Sequence, residues 1–267
     1  MSEPLSRWKT LALVSAALVV ASCPLHVARE ALRKPSEKGA IEAEPRFVGR
    51  ARCAKCHEKE TKAFTGSNHD HAMAEATPEM VRGDFGDGTR EATFEGDGLR
   101  ARFFRRGAKH LVETEGPDGK YAEYEVAYTF GWKPLQQYLV RFPGGRLQAL
   151  PVAWDTEAKR WFFLYPGKRI PPGDWLHWTR NGQNWNGMCA QCHSTNLVKG
   201  YDAAKDAYTT TWSEIDVSCE ACHGPGSRHA AWAEVPPMGR PKTPNAGLVQ
   251  KPSGIGRREL VDLCAPC

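Results

Sequence analysis

Apolar and polar positions divide the chain into stretches of different character. Thr10–Ala21 reads TLALVSAALVVA without a charge, behind a short segment that holds Arg7 and Lys9. A run of about a dozen residues is too short for a spanning helix, which needs ~20, and its basic flank predicts a secretory signal peptide. Residues 58–75 mix Glu, Lys and Ala with few breakers and predict a helix. From about Thr89 to Leu164 the character changes. Ala101–Phe103, His110–Glu113, Tyr121–Tyr128, Arg146–Val152 and Arg160–Leu164 read as short strands rich in β-branched and aromatic residues. Gly-Asp-Gly, Gly-Pro-Asp-Gly, Pro-Gly-Gly and Asp-Thr-Glu-Ala-Lys separate them as turns. The stretch therefore predicts a small antiparallel sheet. The aromatics Trp154, Trp161, Phe162, Phe163, Tyr165, Trp175, Trp178 and Trp185 continue beyond it and predict core packing, a role compatible with lying against a flat π surface.

Composition narrows the class without naming a function. A chain of 267 residues holds one or two domains. With 41% apolar and 25% charged residues it matches an ordinary soluble protein, which excludes a long disordered tail, a collagen-like repeat and a polytopic membrane protein. The formal net charge of +5 contains no run of like charges, so no nucleic-acid tract is expected. The unusual counts are nine cysteines, nine tryptophans and nine histidines. Nine cysteines are too few for a disulfide-dense scaffold of this length, so their spacing matters more than their number.

Cys23 stands apart from the others. Val20-Ala21-Ser22-Cys23 resembles a bacterial lipobox, in which the Cys becomes the mature N-terminus and carries lipid. Acyl chains there contribute about 0.8 kcal/mol per buried methylene, which holds a soluble domain at a bilayer surface. The expectation is an exported protein, lipid-anchored at the periplasmic face of a bacterial membrane. Loss of residues 1–22 removes Arg7, Lys9 and Glu3 and leaves a charge of about +4.

The other eight cysteines form four pairs: Cys53 and Cys56, Cys189 and Cys192, Cys219 and Cys222, Cys264 and Cys267. His57, His193 and His223 directly follow the first three. Cys-x-x-Cys-His is the attachment signal for a c-type haem. Two thiols bond the porphyrin and the adjacent imidazole approaches the iron as proximal ligand. A zinc ribbon, a redox dithiol and structural disulfides are the competing readings. None explains a His after each complete pair. Nine His in 267 residues give each such position a chance of about 3%, so three together fall on the order of one in 10⁴ to 10⁵. The fourth pair ends the chain where a His is expected next, which predicts an N-terminal fragment with its fourth site cut through.

Further histidines supply distal ligands, which would make the haems six-coordinate and suited to electron transfer. His229 lies six residues past His223, across the turn Gly224-Pro225-Gly226. His69 or His71 could serve, with His69 favoured, and His177 precedes the second motif by twelve residues. His110 falls in a strand and reads as structural; His26 lies just past the lipobox.

Several stretches carry a resemblance together: Phe47–Gly49 leading into Cys53–His57, Gly66-Ser-Asn-His-Asp-His-Ala-Met73, Pro134–Val140, Phe142–Pro151, Gln183–Cys189 and Ser218–His229. Over residues 46 to 267 the chain resembles the exported multihaem c-type cytochromes that carry tetratricopeptide repeats after the haem region. Their haem part is similar to the tetrahaem cytochrome of ammonia oxidisers. The resemblance implies a fourth haem site, His69, His177 and His229 as distal ligands, no ligand role for His71, and redox partner proteins in the envelope. No repeat is present in this chain.

The expected fold is α+β, a mostly helical and loop-rich multihaem cytochrome core with an inserted small antiparallel β-sheet. The expected segments are 1–22 signal peptide, 23–45 linker, 46–88 first haem segment, 89–170 β-rich insertion, and 171–267 with the second, third and truncated fourth sites. The expected function is electron transfer. The alternative is a multihaem oxidoreductase acting on a small nitrogen or sulfur compound at a five-coordinate haem, more demanding because it needs an open iron and nearby proton donors.

Overall fold

Alternation of buried and exposed side chains runs through β3 (Leu99–Arg106), where Leu99, Ala101 and Phe103 turn into the core and Arg100 into solvent. The computed structural model describes residues 39, 41, 43–250 and 254–267. The chain separates into two units, Met1–Ala43 and Glu44–Cys267. The second carries every element named below. The signal segment, Cys23 and His26 lie outside the described residues.

Nine strands form one sheet: β1 (Met73–Glu75), β2 (Ala92–Gly96), β3, β4 (Lys109–Glu115), β5 (Tyr121–Phe130), β6 (Leu135–Phe142), β7 (Arg146–Ala149), β8 (Val152–Asp155) and β9 (Arg160–Phe163). The order is β2-β3-β4-β5-β6-β8-β9, all antiparallel, with β1 added to β5 and β7 to β6. Local turn chemistry drives the first hairpin. Gly96 pairs with Leu99 across Asp97 (φ 54°) and Gly98 (φ 73°), both left-handed, the two-residue turn whose twist suits a hairpin.

The expectation of a mostly helical core with a small inserted sheet is overturned. The sheet dominates and curls until β2 and β9 come together in a nearly closed, barrel-like wall. The described helices are short: α1 (Arg50–Ala54), α2 (Glu58–Phe64), α3 (Trp185–Met188), α4 (Ala190–His193), α5 (Cys219–His223), α6 (Ser227–Glu234) and α7 (Arg257–Cys264). A two-stranded ribbon, β10 (Tyr201–Asp202) with β11 (Ala207–Tyr208), lies between α4 and α5. None of these helices is long and apolar enough to cross a membrane.

The wall is packed on both faces, which hides strands from a search for alternation. Phe103, Tyr138, Val140 and Trp161 belong to one cluster, in which Phe103 and Trp161 stack with ring centres 3.6 Å apart. Leu139, between Tyr138 and Val140, faces the other way into a second cluster with Met73, Phe130, Trp185 and Ala190. Leu135–Phe142 therefore carries apolar side chains toward both faces. The helix expected over residues 58–75 stops at Phe64, because Gly66 (φ +80°) turns the chain, and residues 73–75 pair with β5 instead.

Candidate haem sites

Each complete Cys-x-x-Cys-His motif is close to one helical turn, which brings two thiols and an imidazole to neighbouring positions. Around the first pair the Cys56 and His57 N–H groups donate to the Cys53 carbonyl at 3.1 and 3.0 Å, between α1 and α2. The second motif lies in α4 with Cys189 as its N-cap, and the third is α5 itself. All eight paired cysteines are free thiols.

The motifs are tied to one another. The Cys53 and Cys219 sulfurs share a hydrogen bond, which pushes the Cys53 thiol up and holds Cys219 down, helped by the Ser218 hydroxyl and the N–H at the start of α5. Thr195, just past α4, donates from its hydroxyl to the Asp216 carbonyl at 2.7 Å and accepts the Ser218 N–H at 2.8 Å. The Arg50 guanidinium, at the start of α1, bonds both Asp70 and Asp216. Burial nevertheless pushes the Asp216 carboxyl up. The end of the fourth pair meets the second, with the Cys192 sulfur 3.5 Å from the Cys267 carbonyl oxygen.

The imidazoles show which nitrogen is available. His193 Nδ1 lies 2.9 Å from the Ala72 carbonyl oxygen, His223 Nδ1 3.2 Å from that of Gln250, and His229 Nδ1 2.9 Å from that of Ala246. A carbonyl only accepts, so each Nδ1 carries a proton, and in the neutral ring each Nε2 keeps a lone pair. That is the tautomer a metal takes, oriented as metal-bound histidines usually are. His193 is further held edge-on by Phe130, ring centres 5.3 Å apart.

The His57 and His229 rings come together with centres 5.9 Å apart and planes tilted by 30°. Two nitrogen–metal bonds of about 2 Å and a ring radius on each side come to slightly more than that separation, so the pair is within reach of a shared metal. Trp232 also stacks on His229. The thiols, the free Nε2 atoms and this close pair of imidazoles fit covalently attached haem, which takes only one or two iron ligands from the protein. Among the described residues no group of three or more His, Cys, Asp or Glu side chains is placed to hold a bare metal ion.

The remaining histidines are placed differently. His69 is exposed, and its carbonyl accepts the Ala72 and Val217 N–H groups. His71 is half-buried, bonded to the Ser67 carbonyl and stacked on Trp132 at 4.0 Å. His177 is 3% exposed, and its Nε2 lies 3.6 Å from the Glu115 carboxylate at one end of the sheet. Burial pushes its pKa down against the pull of Glu115. None of its described bonds reaches a cysteine motif. His110, in β4, bonds the Ala76 carbonyl inside the core.

Spacing alone does not single out Glu220 or Arg50. Glu220 lies inside the third motif, 3% exposed, and accepts the N–H groups of Val48, Gly49 and Gly226. Its partners at Val48 and Gly49 are more than 170 residues upstream. No local pattern could have found them.

No curated protein matches the sequence. Two solved structures match the fold weakly. One is the outer cell wall cytochrome OcwA, at TM-score 0.45 and 19% identity over 69% of this chain and 32% of that one. The other is an undecahaem cytochrome from the S-layer of Carboxydothermus ferrireducens, at TM-score 0.46 and 19% identity over 91% of this chain and 27% of that one. The chain thus spans about a third or less of the length of either. The family described as cytochrome c554 and c-prime matches residues 52–91 and 178–224, which include all three complete motifs, so in these segments the chain is similar to that family of cytochromes.

Proposed function

We propose that this chain is a multihaem c-type cytochrome that passes single electrons in the bacterial cell envelope. Three haems are attached through Cys53 and Cys56, Cys189 and Cys192, and Cys219 and Cys222, with His57, His193 and His223 as proximal ligands. Cys264 and Cys267 belong to a fourth site of the same kind. His229 is the distal ligand paired with His57, and the observation that carries this reading is the closeness of those two rings. Bound haem supplies an iron that takes up and gives back one electron. The chain's own residues orient the ligands: the Ala72, Gln250 and Ala246 carbonyls fix the imidazole tautomers, and Trp232 and Phe130 cover ring faces. The resemblance to the repeat-carrying multihaem cytochromes, lipid attachment at Cys23, the periplasmic side and redox partner proteins complete the reading.

The test is the holoprotein made with cytochrome c maturation machinery. The expected result is haem that survives a denaturing gel, at three covalent equivalents by pyridine haemochrome for the complete motifs. Chain without covalent haem would overturn it. His229→Ala should convert one haem from low to high spin without loss of haem.

A second reading, an oxidoreductase with a five-coordinate haem, is favoured by one observation. His177 Nε2 is buried without a hydrogen-bond partner, 3.6 Å from the Glu115 carboxylate, and none of its described bonds reaches the second motif, so this reading leaves the distal position there open. Ferric high-spin bands in the unmutated holoprotein that shift with nitrite, hydroxylamine or cyanide would support it over the pure carrier.

A further inference from the structure

Three backbone N–H groups, from two distant segments, converge on one buried carboxylate. Glu220 Oε1 accepts the Val48 N–H at 2.9 Å and the Gly226 N–H at 2.7 Å, while Oε2 accepts the Gly49 N–H at 2.8 Å. Val48 and Gly49 lead into α1, and Gly49, with φ 78°, is its N-cap. Gly226 is the N-cap of α6. A second link runs beside the first: the Arg46 N–H donates to the Ser227 hydroxyl at 2.8 Å, and the Ser227 N–H to the Arg46 carbonyl at 3.1 Å. The stretch 46–49 thus holds the starts of both helices, and Glu220 sits between them. α1 leads to His57 and α6 carries His229.

We infer that Glu220 is the positioning residue that sets His57 and His229 at the separation at which they share one iron. The inference rests on the ligand pair proposed above. Three N–H donors on a carboxylate removed from water form short, charge-assisted bonds that no neutral side chain reproduces as a set. Without them, the left-handed backbone at Gly49 (φ +78°) and Gly224 (φ +75°) has the freedom of glycine, and the two ligand helices lose their common anchor. Glu220 touches neither imidazole in the described contacts, so it acts through the backbone. Packing at the clamp is tight as well. A methyl on Gly226 would lie 3.2 Å from Glu220 Oε1 and 3.2 Å from Val48 Cγ2.

The experiment compares Glu220→Gln, Gly226→Ala and His229→Ala in the haem-loaded full chain by electron paramagnetic resonance and optical spectra, with haem content and Tm recorded alongside. Glu220→Gln keeps the side chain's size but turns an amide N–H₂ toward a backbone donor. The expected result is a several-fold rise in high-spin signal confined to the haem that His229→Ala also converts, with unchanged haem content. Gly226→Ala should do the same to a smaller degree. Spin state is the readout because loss of a buried charge shifts a reduction potential wherever the ligands sit, and a merely structural role lowers Tm without touching spin state. A spectrum unchanged in Glu220→Gln and Gly226→Ala but altered in His229→Ala overturns the clamp and leaves the ligand pair standing. A spectrum unchanged in His229→Ala overturns the ligand pair, and the clamp with it.

Discussion

The His110 side chain is 4% exposed, bonds the Ala76 carbonyl through Nδ1 and meets the Phe85 ring edge-on at 5.0 Å. Burial holds its pKa below the ordinary 6.5, and Arg105 pushes the same way. The folded state therefore keeps this imidazole neutral where the unfolded chain protonates it. Stability is fully present above 6.5 and falls as pH drops toward the depressed folded value. Denaturant titrations at pH 7.5 and 5.5 should show lower stability at the acid end, and His110→Gln should reduce that slope. An unchanged slope in the variant would place the acid sensitivity elsewhere. The spacing of the sequence marks His110 as a strand residue; its protonation follows from the packing around it.

At the scale of an element, the stretch Gln183-Asn-Trp-Asn-Gly-Met188 shows why polar residues stand where a core is built. Asn186, 1% exposed, accepts the Leu147 N–H at 2.8 Å and donates to Thr210 Oγ1 at 2.8 Å and to the Gly145 carbonyl at 3.2 Å. Asn184 donates to Gln148 Oε1 at 3.0 Å, and Gln148 in turn bonds the Trp178 and Arg180 carbonyls. These bonds fasten α3, which leads into Cys189, to β7. Asn186→Ala orphans the buried Leu147 N–H and should cost about 1–3 kcal/mol in denaturant stability for that group alone. A loss much smaller than this would mean that water replaces the side chain. Other elements were easier to foresee. Gly-Asp-Gly marks the turn between β2 and β3, although no strand is expected at Ala92–Gly96 from the sequence, whereas Leu135–Phe142 stays hidden because Tyr138 and Leu139 are both buried on opposite faces.

Across the whole molecule the two apolar clusters have different neighbours. The cluster of Phe103, Tyr138 and Trp161 contains no motif cysteine. The one with Trp185 and Ala190 packs directly against Cys189. Trp161→Ala should therefore lower stability by about 3–5 kcal/mol and leave haem content and spin state unchanged. On the proposed reading, Trp185→Ala should disturb the spectrum of haem at the second motif as well as stability. Equal spectra for the two variants would show that the sheet does not support the second site.

Chemistry was legible along the chain because it is local. A Cys-x-x-Cys-His turn brings two thiols and an imidazole together by helical geometry, whatever surrounds it, so the candidate attachment residues follow from spacing. Near-closure of the nine-stranded wall, the approach of His57 and His229, the placing of His177 near Glu115 and the three N–H groups on Glu220 join residues far apart in the chain. Such contacts are set by which surfaces bury together and which buried polar groups find partners. Those are properties of the packed molecule, with no period or spacing of their own to read beforehand.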